Sequence, residues 1–278
     1  MTSLFVEHLT VIDSAILDAA RGLVGESWIV DVELHGELDD QSMVLDFGEV
    51  KKRLKRAIDA SVDHTLLVPR LAPELQFDET IERTQLIFKS DLGAIEHVSP
   101  PAAVSLLDTA EIDPVAIGTF LAPTFLGIVP PSVDAIDLRL RHEDIDGIFY
   151  HYVHGLKKHN GLCQRIAHGH RSRLHIRVDG ERDSELETEW AMRWTDIYLG
   201  SREDIIARGN GRIRYGYDSA EGRFELAMPE TRSDLLDADS TVERIAEHIA
   251  RRVAELRPGA EIEVRAYEGV MKGAVARL

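Results

Sequence analysis

The chain has 278 residues, of which 44% are hydrophobic, so it can bury one large core or two ordinary ones, and two domains is the better expectation. Its 32 Lys and Arg against 49 Asp and Glu give a formal net charge of −17, which argues against nucleic acid or anionic lipid as partners. The single cysteine, Cys163, excludes an intrachain disulfide and a multi-cysteine zinc site. The sequence shows neither a signal-peptide pattern nor an apolar run long enough to span a membrane, and we expect a cytoplasmic protein.

The chain contains an internal repeat. Residues 28–37 and 172–181 both alternate between polar and apolar residues and end in Gly-Glu, as strands entering a turn do. Residues 89–100 and 217–229 both read as hairpins with glycine in the turn and proline at the exit. A duplicated unit is therefore the first prediction.

Each repeat continues with a helix and closes on an alternating strand. Asp113 is a predicted N-cap in the first repeat, and residues 240–243 have the pattern of a capping box in the second. The closing strands are predicted at residues 135–140 and 261–266.

The sequence thus predicts two tandem antiparallel α+β units, residues 1–145 and 146–278. They differ in the residues that could carry chemistry. The first has Asp63-His64 after a basic amphipathic helix, and we expect neither an Asp-His pair nor a comparable helix in the second. The second has His168-Gly169-His170, opposite Val24-Gly25-Glu26 when the repeats are aligned.

The second unit carries a potential metal site. His168 and His170 are two residues apart at the start of a strand, so both side chains leave the same face. Two imidazoles are two-thirds of a catalytic zinc site, and His154 or His151 on a neighbouring strand could supply the third ligand. The competing interpretation is a solvated, histidine-rich loop.

Other residues near these histidines are candidates for substrate binding and proton transfer. Seven Lys and Arg stand against two acidic residues between positions 157 and 182, which favours a polyanionic small substrate such as a triphosphate. Asp63 could orient His64 as a general acid-base unit near neutral pH. Glu268, at the end of the last strand, is either a fraying strand end or an anchor for a heterocycle rich in hydrogen-bond donors.

Together these segments resemble the 6-pyruvoyl-tetrahydropterin synthase / 6-carboxytetrahydropterin synthase family. The matching segments, in chain order, are Val44 to Lys51, Val62 to Leu67, Tyr150 to His154, Cys163 with His168-Gly169-His170, Ser240 to Glu243, and Glu268. These six segments, found together in this order, are a far more specific signal than any one of them alone. The resemblance implies the tunnelling fold, with a four-stranded antiparallel sheet and helices on one face in each unit, assembling into a barrel.

The resemblance also implies the roles of individual residues. Zinc would be bound by His154, His168 and His170. Cys163, Asp63 and His64 would be catalytic. Glu268, Thr241 and Arg165 would bind substrate. The second unit would supply the metal and the cysteine and the first would supply the Asp-His pair, which gives one composite site per chain and a dead reciprocal site.

The activity implied by the resemblance is a zinc-dependent lyase that acts on 7,8-dihydroneopterin triphosphate and eliminates triphosphate. The product is a 6-carboxy- or a 6-pyruvoyl-tetrahydropterin, and the pathway stays open among queuosine-type, biopterin-like and folate-like routes. Four residues separate Cys163 from His168 where the family has three. That departure leaves an aldolase-type cleavage of dihydroneopterin as an alternative.

Two further alternatives are a non-catalytic pterin or purine binder with a structural zinc, and a metal-storing loop. A homo-oligomer of at least two chains is expected in any case, because two units leave sheet edges unpaired.

Overall fold

The computed structural model describes residues 2–38, 40 and 42–278, so Met1, the first residue of the predicted first unit, lies outside the described residues. The first half forms, in order, β1 (Thr2–Asp18), β2 (Gly22–Gly36), α1 (Phe47–Ser61), β3 (Leu66–Pro69), β4 (Leu75–Glu79), β5 (Thr84–Ser90), β6 (Gly93–Ser99), β7 (Val104–Leu107), α2 (Pro114–Leu126) and β8 (Val133–Arg141). The second half forms β9 (Phe149–His154), β10 (His168–Val178), β11 (Glu181–Arg182), α3 (Ser184–Arg193), β12 (Ile197–Ser201), β13 (Ile205–Gly209), β14 (Arg212–Ser219), β15 (Gly222–Pro229), β16 (Ser233–Leu236), α4 (Val242–Leu256), β17 (Ile262–Tyr267) and β18 (Gly273–Arg277). None of the four α-helices in the described ranges is long and apolar enough to cross a membrane.

The first sheet belongs to the first half of the chain and has the strand order β7-β3-β1-β2-β8. β1 and β2 form a long antiparallel pair that runs from Thr2 opposite Gly36 to Asp18 opposite Gly22. Helices α1 and α2 pack on this sheet and bury their apolar stripes in one core. As predicted, the Asp113 side chain caps α2, accepting a hydrogen bond from the backbone N–H of Ala116 at 2.7 Å.

The second sheet belongs to the second half and has the order β16-β12-β9-β10-β17-β18, with β11 paired to β10. Helices α3 and α4 bury their apolar residues against it in a separate core. The predicted capping box does not form, because the N-cap of α4 is Thr241 and the residue three positions later is Arg244, not an acid. Ser240 is instead directed at His154.

The prediction of two tandem α+β units is confirmed, but two details are corrected. Each sheet exceeds the expected four strands, because short strands pair in parallel at one edge: β3 and β7 in the first half, β12 and β16 in the second. The second half also has the helix that was not expected there: α3 lies between β11 and β12, as α1 lies between β2 and β3.

A third sheet joins the two halves. Its order is β13-β14-β15-β6-β5-β4, so three strands come from each half and β15 pairs with β6 at the centre. His97 of β6 lies opposite Leu226 of β15, and the flanking pairs are symmetric about them. One face of this sheet packs on a core with residues from both halves, among them Leu17 and Tyr198. The sheet therefore fastens the two units together along an approximate two-fold axis.

The first two sheets also meet directly, where β1 and β2 cross β9 and β10. Gly25 and Gly169 lie at this crossing: Gly25 pairs with Ala15 in its own sheet, and Gly169 pairs with Val153 in the equivalent register. A Cβ atom on Gly169 would lie 2.5 Å from the Cα of Gly25, so only glycine permits this approach. The crossing brings residues of both units into one site.

Candidate active site

Three histidines converge at the crossing. His154 ends β9, and His168 lies opposite it at the start of β10, followed two residues later by His170. All three are buried. His154 Nε2 lies 3.2 Å from His170 Nε2, and one ring nitrogen of each of the three lies within 4.8 Å of the others.

The other ring nitrogen of each histidine faces an acceptor. Nδ1 of His154 donates to the carbonyl oxygen of Ser240 at 2.9 Å, and Nδ1 of His168 to that of Arg165 at 3.0 Å. Nδ1 of His170 lies 3.2 Å from the carboxylate of Asp13. With Nδ1 protonated in each ring, the Nε2 lone pairs are available to a shared ligand.

These residues fit a metal ion. His168 Nε2 is buried and has no hydrogen-bond partner among the described residues. Burial lowers the pKa of His154 and of His168 well below the ordinary value, which keeps these imidazoles in the neutral form that binds metals. Three convergent imidazoles are a donor set that Zn²⁺ favours, with a position left open for substrate.

The Asp-His pair of the first unit lies beside the histidines of the second. His64 has a left-handed backbone conformation, with φ of 54°, just beyond the end of α1. Its Nδ1 lies 2.8 Å from Asp63 Oδ2, while Asp63 Oδ1 accepts the backbone N–H of Asp13 at 2.8 Å. The ring of His64 contacts that of His168, with the ring centroids 5.1 Å apart.

The environment of His64 favours its protonated form. Burial would lower the pKa of His64, but hydrogen bonds to Asp63 and Cys163 outweigh it and raise this pKa to about 10. The His64 side chain can therefore hold a proton at neutral pH, next to Asp63 and Cys163.

Cys163 lies within reach of the other site residues despite its unusual spacing. It occupies a single 3₁₀ turn, Leu162–Gln164, whose position is fixed by a hydrogen bond from the N–H of Leu156 to the carbonyl of Cys163 at 2.8 Å. The ligand atoms of His64, Cys163 and His168 lie within 4.8 Å of one another. The turn accommodates the extra residue between the cysteine and the first histidine of β10.

The C-terminal hairpin brings a carboxylate and a cation to the same region. Glu268 follows β17, and Lys272 Nζ lies 4.0 Å from Glu268 Oε2 and 3.3 Å from Asp13 Oδ2. Gly269, between them, has φ of +67°, and a Cβ there would lie 2.4 Å from the Asp13 carboxylate. The Lys272 side chain is 54% exposed, so it can meet a ligand from solvent.

Thr241 follows Ser240, whose carbonyl oxygen contacts Nδ1 of His154 in the histidine cluster. Its side chain accepts from the backbone N–H of Arg244 at 3.5 Å as the N-cap of α4. The N-terminal end of α4 thus stands beside His154, where the dipole of the helix favours an anion or a hydrogen-bond acceptor.

The basic segment does not face the site as the sequence suggested. Arg165 is buried and its guanidinium binds the Glu221 carboxylate, with Nε 2.8 Å from Oε2. The other cations of the segment are also engaged within the chain: Lys157 with Asp204, Lys158 with Asp239, Arg171 with the carbonyl of Glu143, Arg173 with Glu143, Arg177 with the carbonyl of Gly180, and Arg182 with Glu187. Arg165 is therefore corrected from a substrate contact to a structural ion pair, because a run of charge in a sequence does not show which acids fold against it.

Asp13 is a site residue that the sequence analysis missed. It is 3% exposed in β1, accepts from Ser27 Oγ at 2.5 Å, and faces His170 and Lys272. Burial alone would raise its pKa, but His170 and Lys272 outweigh burial and hold the pKa well below its usual range. The available signal was an acidic residue inside the mostly apolar run of residues 11–17, since a charged group buried in such a run needs partners.

The reciprocal position has lost the metal donors. The strand registers place Ile16, Val24 and Glu26 where the second unit has His154, His168 and His170. The equivalents of Asp63 and His64 are Thr195 and Asp196, and Asp196 shares with His64 a φ of 54°.

Ion pairs fill the reciprocal position instead. Arg21 binds Asp196, with Nε 2.9 Å from Oδ2. Glu26 contacts His142 Nε2 at 3.0 Å and His151 Nδ1 at 3.3 Å. His151, the other third ligand considered from the sequence, is thus separate from the three-histidine cluster.

These features define a class: a protein of two fused α+β units with a three-histidine cluster of one unit and an Asp-His pair of the other in a single site. A sequence model of the family described as 6-pyruvoyl tetrahydropterin synthase matches residues 13–101 and 148–277. The chain belongs to this family, and it has the family's tunnelling fold in tandem form. Family membership supports a lyase-type pterin synthase function.

Other comparisons are more distant. The crystal structure of 6-pyruvoyl tetrahydropterin synthase from Plasmodium vivax is 18% identical to this chain, with a TM-score of 0.42, over 50% of this chain and 90% of that one. The Plasmodium falciparum enzyme gives 18% identity and a TM-score of 0.41 over the same shares. No curated protein matches the sequence.

Proposed function

We propose that the protein is a zinc-dependent lyase that converts 7,8-dihydroneopterin triphosphate, with loss of triphosphate, to a 6-carboxy- or 6-pyruvoyl-tetrahydropterin. The observation that carries the proposal is the meeting of the two half-sites: the Nε2 atoms of His154, His168 and His170 converge beside Cys163 and His64. The first unit, within residues 1–145, supplies the acid-base pair. The second, within residues 146–278, supplies the donors.

Zinc, when bound by the three histidines, supplies a Lewis acid that polarises the hydroxyls and developing carbonyl of the substrate side chain. Because the pKa of His64 is raised to about 10, His64, held by Asp63, rests as the imidazolium and would first donate its proton to the substrate. Cys163, acting as the thiolate, would accept a proton from the substrate side chain. The neutral His64 could then take that proton from Cys163, which returns both groups to their starting forms.

Substrate binding is assigned to the residues around the C-terminal hairpin and the start of α4. Glu268 accepts hydrogen bonds from the donor-rich edge of the pterin, with Thr241 at the same end. Lys272, close to Glu268, offers a partly exposed cation at this same end of the site. An unpaired cysteine that acts as a base in its thiolate form suits a reducing compartment, and we propose a cytoplasmic location.

The test is to incubate the zinc-loaded protein with 7,8-dihydroneopterin triphosphate and to identify the products by mass spectrometry. We expect a tetrahydropterin with a shortened or oxidised side chain, together with free triphosphate, and no product from His168→Ala. Cys163→Ser serves as the matched control, since it should retain the metal and lose turnover.

The same experiment separates the alternatives. Release of a two-carbon fragment with the triphosphate still attached would show an aldolase-type cleavage. If the protein binds the pterin without converting it, and Cys163→Ser binds it with the same affinity, the protein is a binding protein and the lyase proposal is overturned. Weak binding of several metal ions per chain would point to storage.

A further inference from the structure

The candidate active site contains a fourth imidazole whose surroundings match those of a metal donor. Nδ1 of His64 faces the carboxylate of Asp63 at 2.8 Å, as Nδ1 of His170 faces the carboxylate of Asp13 at 3.2 Å. A carboxylate beside one ring nitrogen orients the imidazole and makes the other nitrogen a stronger metal ligand. The first unit therefore supplies a histidine with the environment of a ligand, although it belongs to the acid-base pair.

His64 lies next to two further donors. Its donor atom and those of Cys163 and His168 all lie within 4.8 Å of one another, the same limit that holds for His154, His168 and His170. The site thus offers two sets of three donors with His168 in common. Nδ1 of His168 is engaged by a backbone carbonyl, so only Nε2 remains to bind an ion. The two sets therefore cannot be filled at the same time.

The two sets differ in donor chemistry. His154, His168 and His170 offer three neutral imidazoles, whereas the set with His64 and Cys163 includes a sulfur that binds metals as the thiolate. A thiolate is a softer donor than an imidazole, and it carries a negative charge that offsets the charge of the ion. The set with Cys163 is therefore suited to zinc or to a softer divalent ion.

The two sets also differ in access from solvent. The three histidines of the first set are at most 1% exposed. In the second set only His168 is fully buried, because the His64 side chain is 16% exposed and Cys163 is half-buried. The second set is therefore the more accessible of the two.

We propose that His64, Cys163 and His168 form a second metal position, the thiolate position, which takes Zn²⁺ or a softer divalent ion in alternation with the three-histidine position. An ion there takes the place of the proton that His64 otherwise holds, and it binds Cys163 as the thiolate. Both groups are then engaged, so an ion at the thiolate position blocks their proton transfers. This proposal rests on metal binding within the proposed function, but not on its substrate or reaction.

The test uses Co²⁺, added without substrate to protein that has been freed of metal. A thiolate ligand gives Co²⁺ a charge-transfer band in the near ultraviolet that imidazole ligands do not give. His154→Ala and His170→Ala each remove a donor from the three-histidine position and leave the thiolate position complete. We expect each variant to bind one equivalent of Co²⁺ with this band. His168→Ala should bind none, because both positions need it.

Second substitutions in the His154→Ala variant identify the donors. Cys163→Ser should remove the band, and both Cys163→Ser and His64→Gln should weaken Co²⁺ binding at least about tenfold, since even partners outside the ligand set are worth that much. His151→Ala is the matched control: this buried histidine contacts Glu26 at the reciprocal position, and its loss should change neither the band nor the affinity. Circular dichroism of each variant separates a lost site from a lost fold.

Three outcomes would overturn the proposal: no Co²⁺ binding by either folded single variant, binding without the thiolate band, or binding that is indifferent to His64→Gln. None of these measurements involves turnover. A protein that binds Co²⁺ as expected but converts no pterin would support the thiolate position and overturn the lyase proposal alone.

Discussion

Gly25 and Gly169 occupy the same position in the two repeats and pack directly against each other. A Cβ atom on Gly25 would lie 2.0 Å from the carbonyl oxygen of Tyr152 and 2.6 Å from the backbone nitrogen of His170. This contact sets the distance between the units, and with it the distance between the Asp-His pair of one and the histidines of the other.

Gly25→Ala should therefore damage both stability and metal binding. We expect a loss of about 1–3 kcal/mol in the free energy of unfolding, because backbone must shift to admit the methyl group, and a weaker metal site because His170 moves. Urea denaturation and chelator competition measure the two effects. Gly209→Ala is the matched control, since a Cβ there meets no atom within 4 Å. Equal stability of the two variants would contradict the tight contact.

Asp13→Asn should weaken metal binding without unfolding the protein. The carboxylate lies 3.2 Å from Nδ1 of His170, and removal of such a partner typically costs 10–100-fold in metal affinity. Competition with a chelator gives the affinity, and the absorption spectrum of the Co²⁺-substituted protein reports the geometry of the site. Ser27→Ala, which removes the 2.5 Å hydrogen bond to Asp13 and the 3.2 Å bond from the backbone N–H of Arg171 but leaves the carboxylate in place, should show a smaller effect. An unchanged affinity in Asp13→Asn would show that His170 needs no orienting carboxylate.

Asp63→Asn should separate catalysis from metal binding. The asparagine can still accept the backbone N–H of Asp13, but it no longer stabilises a protonated His64. We expect kcat/KM to fall by about 10²–10⁴, with metal content unchanged. The pKa of His64, followed by NMR, should fall from about 10 toward the ordinary histidine value. Full activity in this variant would remove the pair from the mechanism.

The protein should bind one metal ion per chain. Ile16 and Val24 stand at two of the three ligand positions of the reciprocal site and cannot bind a metal. Elemental analysis after dialysis should therefore give one equivalent for the wild type and none for His168→Ala. Two equivalents in the wild type would mean that the reciprocal position still binds.

His97 should make stability depend on pH. Burial lowers the pKa of His97 to about 4 in the folded protein, against about 6.5 in the unfolded chain, so unfolding takes up a proton between these values. The contribution of neutral His97 to the free energy of unfolding is fully present above pH 6.5. It is lost as the pH falls toward 4, by on the order of 3 kcal/mol in total. His97→Leu, which introduces the side chain that Leu226 has at the equivalent position of the other repeat, should remove this component.

Denaturation curves at several pH values for the wild type and His97→Leu test that expectation, because subtraction cancels the contribution of the carboxylates. If the free energy of unfolding depends on pH in the same way in the wild type and in His97→Leu, then His97 is protonated equally in the folded and unfolded states.

Much of the site could be predicted from the sequence because its signals are local. His168 and His170 share a face by the period of a strand, and Asp63 and His64 are adjacent in sequence. The part that failed depends on distant pairing. The net positive charge around Arg165 was visible, but its partner Glu221 lies 56 residues away, in the turn between β14 and β15.

The fold shows the same division between local and distant information. The hairpins with Gly93 and Gly222 in their turns were predictable, since both glycines have the positive φ that such turns require. That the two hairpins pair with each other through β6 and β15 was not, because an alternating pattern identifies a buried face and not a partner. The contact between Asp13 and His170 was hidden for the same reason.

The third sheet has a consequence for how the two copies of the unit could diverge. In an assembly of identical subunits, every residue at the site must be tolerable in all copies and in both roles at once. Here the covalent link and the shared sheet hold the partners together at fixed stoichiometry, however dilute the protein. Each copy is therefore free to specialise: position 64 is the histidine of the acid-base pair, while its counterpart Asp196 binds Arg21. After duplication, the two units of one chain can therefore carry different residues at equivalent positions and serve different roles in one site.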